Sequence, residues 1–269
     1  MELISLIAIS MLLITAMVFS PLGLGGGVLY VPIFHYLLDW TVEEALLGSL
    51  TLVFMVAIGS SLSHTQSGFA DPVTARIGRV TAIPGALLGT VIAYLIIEYI
   101  GDIVIKILAA IILVFVIERT IGQIRKDTNG GVEEVDVADR LIKYRFGALF
   151  AGITSGLLGI GGGAVLVTLN RSMLGMNPHK AAGTSYLVGV TLVPVALLAH
   201  FFLDGTSDII IERVGWTALA AVPALAFISA FLGAKFTIKY IHRRFVTMAF
   251  IGAVSLSVIR YLLDFTGIL

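Results

Sequence analysis

A glycine pentad occurs twice in this chain. Gly23-Leu-Gly-Gly-Gly27 returns as Gly159-Ile-Gly-Gly-Gly163, offset by 136 residues. On that offset Val31 falls on Val167, Leu38 on Leu174, Ala45 on Ala181, Ser49 on Ser185 and His64 on His200. After a small shift, Pro84 matches Pro223. Both copies sit in apolar sequence. A unit repeated in this way, built on a glycine elbow among apolar residues, marks a membrane transporter with internal repeats. The competing reading is two glycine-rich helix contacts that resemble each other by chance.

The solvent for such a chain is set by its polarity. Of 269 residues, 58% are hydrophobic and 13% charged, and the mean hydropathy is +1.03. A soluble protein carries about 25% charged residues. Several apolar runs approach or exceed the roughly 20 residues that cross a bilayer core. The chain reads as an all-α polytopic membrane protein with about 8–10 membrane segments. Its formal net charge is zero, which leaves no basic stripe for nucleic acid. Without cysteine there is no disulfide, thiol chemistry or cysteine metal site, and no cofactor or metal is expected. Glu2 stands where a signal peptide carries Lys or Arg, and no Ala-x-Ala-like site follows. The first twenty residues therefore read as a retained segment.

The chain divides into a first transmembrane repeat at 1–117, a polar linker at 118–145 and a second repeat at 146–269. Segments A (Leu3–Ser20) and B (Val28–Leu38) flank the first elbow. C (Glu43–Ser63), D (Ile77–Ile97) and E (Ile103–Val116) follow. The primed partners are A′ from Phe146, B′ (Ala164–Leu174), C′ (Ala181–Phe202), D′ (Val214–Phe236) and E′ (Phe245–Leu263). The linker includes Lys126-Asp-Thr-Asn-Gly-Gly131 and an acidic run from Glu133 to Asp139.

Lys and Arg concentrate in cytoplasmic loops. Arg119, Arg125, Lys126, Arg140, Lys143 and Arg145 put the linker inside, and Lys235, Lys239, Arg243 and Arg244 do the same for the D′–E′ loop. Counting back, the B′–C′ loop with Arg171 and Lys180 is inside too, so A′ and B′ together cross an even number of times. From Phe146 to Leu174 there are 29 residues, about 44 Å of helix and too short for two full crossings with a turn. A re-entrant hairpin hinged at the glycines is the economical solution, although strong tilt would allow two crossings. Segment A is longer, so the first hairpin spans more fully. Arg76 and Arg79 place the C–D loop inside, and the B–C loop with Asp39, Glu43 and Glu44 falls outside. Lys106 in the outer D–E loop dissents. The two halves thus have opposite orientation, an inverted repeat with two glycine-elbow hairpins.

Non-helical backbone at membrane depth is tolerated where protein buries it or where it lines a watery cavity. At Gly25-Gly26-Gly27 and Gly161-Gly162-Gly163 the missing Cβ atoms permit left-handed turns and close approach of a ligand. Each elbow opens a helix, and two such ends brought together make a cradle for a small anion. The alternative is close helix packing through small residues. No Asp, Glu, Lys or Arg lies deep in any expected span, which disfavours a carboxylate relay or a fixed counter-charge. Hydroxyl candidates are Ser49 and Thr51 in C, Thr154 and Ser155 before the second elbow, and Thr184 and Ser185 in C′. Each could instead satisfy a carbonyl one turn back. His64 and His200 are candidates for gating or proton transfer, or plain interfacial residues. Asn177-Pro178 reads as a helix start, with Asn as N-cap and Pro at the first position.

Other motifs lead nowhere. Gly159-Ile-Gly-Gly-Gly-Ala164 fits a dinucleotide fingerprint, but no strand precedes it. Neither elbow continues into Lys-Ser or Lys-Thr, so there is no phosphate loop. Ser155 and Ser185 faintly suggest an intramembrane serine hydrolase, without an obvious histidine to serve Ser155.

The elbow Gly23-Leu-Gly-Gly-Gly-Val-Leu-Tyr-Val-Pro32, its repeat Gly152-Ile-Thr-Ser-Gly-Leu-Leu-Gly-Ile-Gly-Gly-Gly163, and Ala182-Gly-Thr-Ser185 opening C′ resemble the sulfite exporter TauE/SafE family. The likeness runs over nearly the whole chain. It implies a plasma-membrane transporter, not an enzyme, that exports small sulfur-containing anions such as sulfite, sulfoacetate or related sulfonates, with the two elbows as hallmark positions. The first copy departs from the pattern, with Leu47-Gly48-Ser49 in place of Gly-Thr-Ser. Together these readings give a secondary transporter with a small anion between the elbows and one repeat rocking against the other. A channel or uniporter for an anion or small solute is the rival reading. A homo-oligomer is compatible with either.

Overall fold

Long apolar runs punctuated by Pro, Gly and short polar caps fold into helices and nothing else among the described residues. The computed structural model describes residues 2–128, 134–240 and 243–266. The helices are α1 (Glu2–Phe19), α2 (Gly27–Pro32), α3 (Val42–Gln66), α4 (Pro72–Tyr99), α5 (Ile103–Thr128), α6 (Leu141–Leu158), α7 (Gly163–Leu174), α8 (Pro178–Leu203), α9 (Ser207–Tyr240) and α10 (Arg243–Thr266). The linker's Asn129-Gly130-Gly131 and Glu133 lie outside the described residues, as do the side chains of Arg125, Lys126, Lys239, Arg243 and Arg244.

Helix starts follow capping chemistry. Thr41 and Glu44 form a reciprocal capping box at α3, and Asp71 accepts from the N–H groups of Val73 and Thr74 at α4. Asn177 caps α8 by accepting from the Lys180 N–H at 2.9 Å, with Pro178 at the first position, as the sequence predicts. Each supplies an acceptor to a helix N–H that has no partner within the helix.

Some boundaries differ from the sequence expectation. Asp71-Pro72 starts α4 earlier than expected, so Arg76 and Arg79 lie in its first turns rather than in a loop. The linker is helical at both ends, because α5 continues to Thr128 and α6 begins at Leu141. Within α9, Gly215 breaks the helix (φ 73°, ψ 158°). Among the described residues, five helices are long and apolar enough to cross a membrane: Leu3–Leu22, Val42–Gln66, Pro72–Tyr99, Pro178–Leu203 and Ser207–Phe236. Segment A is one of them, in keeping with a first hairpin that spans more fully, whereas the described residues of E and E′ are not among them.

The surface is apolar, and polar side chains gather inside an otherwise apolar interior. Leu6 and Ile14 of α1, Leu87 and Leu88 of α4, Ile111 of α5 and Leu256 of α10 are exposed. Ser49, Ser60, Thr154, Ser155, Thr184, Ser185, His64 and His200 are buried. That distribution suits hydrocarbon outside and a polar centre within.

Helices that hydrocarbon surrounds cannot gain much by hiding apolar surface, so close packing drives their association. Gly85 and Gly89 of α4 press on the backbone of Leu149 and Ile153 in α6. Gly152 and Gly156 of α6 press back on Ala82 and Ala86. Likewise Gly233 of α9 meets the Met17 carbonyl of α1, beside the fully buried Ala8, Ala16, Ala226 and Ala230. The first helix of each half therefore packs on the fourth helix of the other. α3 contacts α9, α8 contacts α4, and α3 meets α8 along a central seam.

Candidate functional site: two glycine elbows in contact

The second arms of the hairpins are short. α7 has 12 residues, about 18 Å, well under the roughly 30 Å of a hydrocarbon core. α2 has 6 residues and widens after Pro32 into a π turn over Ile33–Leu37, because proline leaves the preceding turn without its hydrogen bond.

Between the arms the two elbows take the same path. Gly23, Gly25 and Gly26 have φ of 79°, 69° and 80°, and Gly159, Gly161 and Gly162 have 66°, 75° and 67°. Side chains rarely adopt this left-handed region, which explains three of the four glycines in each pentad. The fourth is explained by the neighbour. A Cβ at Gly27 would stand 2.7 Å from the Ile160 Cα, and one at Gly163 would stand 2.5 Å from the Gly23 carbonyl oxygen. The elbows touch backbone to backbone. Val53, about halfway along α3, lies against both Gly25 and Gly161.

The contact is fastened crosswise. Ser185 Oγ donates to the Gly23 carbonyl at 3.1 Å, and Ser49 Oγ donates to the Gly159 carbonyl at 2.7 Å. Each serine belongs to one half and holds the elbow of the other. Their protons are therefore committed to the protein. The histidines repeat the symmetry: His64 Nε2 faces the Ser20 carbonyl at 3.4 Å, and His200 Nε2 faces the Gly156 carbonyl at 2.7 Å. Their Nδ1 atoms differ. His200 Nδ1 lies 2.7 Å from Asp204, with both side chains essentially inaccessible, whereas the position matching Asp204 in the first half is Gly68.

The other candidates separate. Thr51 and Thr154 bond carbonyls of their own helices, Leu47 and Ala151. Thr184 accepts from the Asp71 N–H and ties α8 to the α3–α4 turn. Gly48, its counterpart, lies under the stacked Phe34 and Trp40 rings, whose centroids are 4.6 Å apart. Packing thus explains the departure of the first copy from Gly-Thr-Ser. Ser155 Oγ is buried with no hydrogen-bond partner, close to Gly162.

Sequence reasoning overlooked several groups. Asp204, the C-cap of α8, is a buried carboxylate within reach of His200; it lies just past the expected span C′, and its four-residue spacing from His200 was the available signal. Lys106 lies in the first turn of α5, not in the D–E loop, and pairs with Asp102 and Asp264 at 3.0 Å each. Tyr36 donates to Asp264 at 3.2 Å. A cavity beside this network is lined by His35, Leu46, Lys106, Leu158 and Tyr261, and reaches the residue before the second elbow.

Nothing at the site is arranged for hydrolysis. The Ser185 proton is on a carbonyl, and both nitrogens of His200 face acceptors other than serine. Neither a curated protein nor a solved structure matches the chain. The sequence model of the family described as sulfite exporter TauE/SafE matches residues 7–261. That span takes in both elbows, both clamping serines and both histidines, and the chain belongs to the sulfite exporter TauE/SafE family, a family of membrane transporters and not of enzymes.

Proposed function

We propose that this chain is a secondary transporter of the plasma membrane that exports a small sulfur-containing anion such as sulfite, sulfoacetate or a related sulfonate. The anion sits between the two elbows near mid-membrane, held mainly by backbone N–H groups of Gly25, Gly26, Gly27, Gly161, Gly162 and Gly163. The observation that carries this reading is the backbone contact between two buried elbows. A closed contact of that kind suits a site that opens alternately to either side and argues against a standing channel. The short α2 and α7 arms support re-entrant hairpins, and the crosswise bonds support two inverted halves, 1–117 and 146–269, with the linker 118–145 in the cytoplasm.

The energy source would be the substrate gradient, the membrane potential or protons. His200 is the better proton-handling candidate. With a carboxylate at Nδ1 and a carbonyl at Nε2, both ring nitrogens face acceptors, and a neutral imidazole can donate to only one of them. His64 has no such carboxylate and serves as its structural counterpart.

The test is anion-dependent melting of the purified protein in detergent at matched ionic strength. Sulfite, thiosulfate, sulfoacetate, sulfate, phosphate and chloride are compared. A ligand at 100 times its dissociation constant stabilises by about 2.7 kcal/mol, a shift of several degrees for a chain of this size. A sulfur oxyanion should give that shift selectively, and Gly162→Val should lose it. Stabilisation by neutral solutes but by no anion beyond chloride sinks the proposal.

A further inference from the structure

The elbows share a backbone path but not their surroundings. Around the first elbow, Tyr30 and Ser60 are 0% exposed and Tyr186 is 3% exposed. The Tyr186 hydroxyl accepts from the Gly25 N–H at 3.2 Å and donates weakly to the Phe19 carbonyl at 3.4 Å. The Tyr30 ring folds back over the elbow, so that a Cβ at Gly26 would stand 2.6 Å from its hydroxyl oxygen. That hydroxyl has no hydrogen-bond partner. Neither does Ser60 Oγ make a well-formed bond, although it lies beside the Tyr186 hydroxyl.

At the second elbow the matching positions are apolar. On the 136-residue offset Tyr30 becomes Leu166, Ser60 becomes Ala196, and the counterpart of Tyr186 is Leu50. Hydroxyls buried without partners are costly, and in an apolar chain they are not replaced by chance on one side only. A role in binding offsets that cost.

We infer that the transported oxyanion is held off-centre, against the first elbow, by the hydroxyls of Tyr30, Tyr186 and Ser60 together with the Gly25 N–H. This rests on the reading of the elbows as the substrate site. Three hydroxyls and one N–H converge on one side of the elbow pair, and the Gly25 N–H and the Tyr186 hydroxyl would exchange their present bonds, to Tyr186 and to the Phe19 carbonyl, for bonds to the anion. They suit a small anion with several acceptor oxygens, since each oxygen can take a separate bond. Neutral donors also release an anion more readily than a fixed cation does, which a transporter needs. Opposite, Leu166, Ala196 and Leu50 leave the second elbow with the single unpartnered hydroxyl of Ser155 beside Gly162, against three hydroxyls at the first, so one anion binds per chain, on the first side.

Calorimetric titration of sulfite into the purified protein in detergent tests this. Wild type should bind one sulfite per chain. Tyr30→Phe, which breaks no bond in the structure, and Ser60→Ala and Tyr186→Phe should each weaken binding by about tenfold. The buried-hydroxyl control Thr191→Ala, whose hydroxyl bonds the Val188 carbonyl in its own helix, should stay within about twofold of wild type. If Tyr186→Phe does not fold, Ser60→Ala and Tyr30→Phe decide. Unchanged affinity in both, or two sulfites per chain, overturns the off-centre site while leaving the elbow reading intact. If wild type binds neither sulfite nor thiosulfate, sulfoacetate or sulfate titrated in the same way, the elbow reading falls as well.

Discussion

Single hydroxyls in this chain carry opposite assignments despite identical chemistry. Thr51 and Thr154 close bonds within a helix, while Ser49 and Ser185 reach across to the opposite elbow. A net contribution of about 1 kcal/mol per buried hydrogen bond is typical. Ser49→Ala and Ser185→Ala should therefore each lower the melting temperature by a few degrees and reduce transport. The double variant should lose more than either single, since the two bonds fasten one contact from both sides. A double variant no worse than Ser49→Ala alone would falsify the paired-clamp account. The serines' register was legible in the sequence through the 136-residue offset, but their partners were not. No local pattern says that a serine in one repeat bonds a carbonyl in the other.

Glycine acts differently along helices than at the elbows. Gly152 of α6 lies directly on the Ala82 carbonyl of α4, whereas Gly122 of α5 has nothing within 4 Å of the position a Cβ would take. Gly152→Ala should force the helices apart at a cost of about 1–3 kcal/mol. Gly122→Ala should stabilise by about 0.4–1 kcal/mol through the unfolded chain and helix propensity. Melting curves of the two variants should move in opposite directions. Equal shifts would mean that the α4–α6 contact is looser than described. Helix positions and the elbows were readable because apolar length, Pro and Gly punctuation and the Asn177-Pro178 cap all act locally. The crossed pairing of α1 with α9 and α4 with α6 was hidden, because small residues mark a close contact without naming its partner. The asymmetry of Tyr30 and Tyr186 against Leu166 and Leu50 stood in the aligned repeats, but a tyrosine in an apolar helix carries no signal until the fold brings its hydroxyl to an elbow.

At the scale of the molecule, the crossed packing changes which parts can move. Repeat rocking on repeat would have to tear α6 from α4 and α1 from α9. Two mixed bundles, α1–α3–α9 and α6–α8–α4, are instead compact and symmetry-related, and they meet along the α3–α8 seam. If the chain works by alternating access, as proposed above, motion across that seam would be its economical form. A Cβ at Gly189 would lie 3.7 Å from the Ala57 Cβ, within the span of about 3.5–4.5 Å that a disulfide bridges. Since the chain has no cysteine, the pair Ala57→Cys with Gly189→Cys gives a clean lock. Oxidation should stop transport, reduction should restore it, and anion-induced stabilisation should persist in the locked form. Full transport by the oxidised protein would move the hinge elsewhere.

The same interlacing has a consequence for how the protein is made. When the first half leaves the ribosome, the small-residue face of α1 at Ala8 and Ala16 and the glycine face of α4 have no mates, because α6 and α9 are still untranslated. Both faces must wait in lipid, lined only by acyl chains, until the second half is inserted beside them. On this packing, assembly of the protein should be completed only once the second half is inserted, with the N-terminal half the stretch most open to quality-control proteases until then.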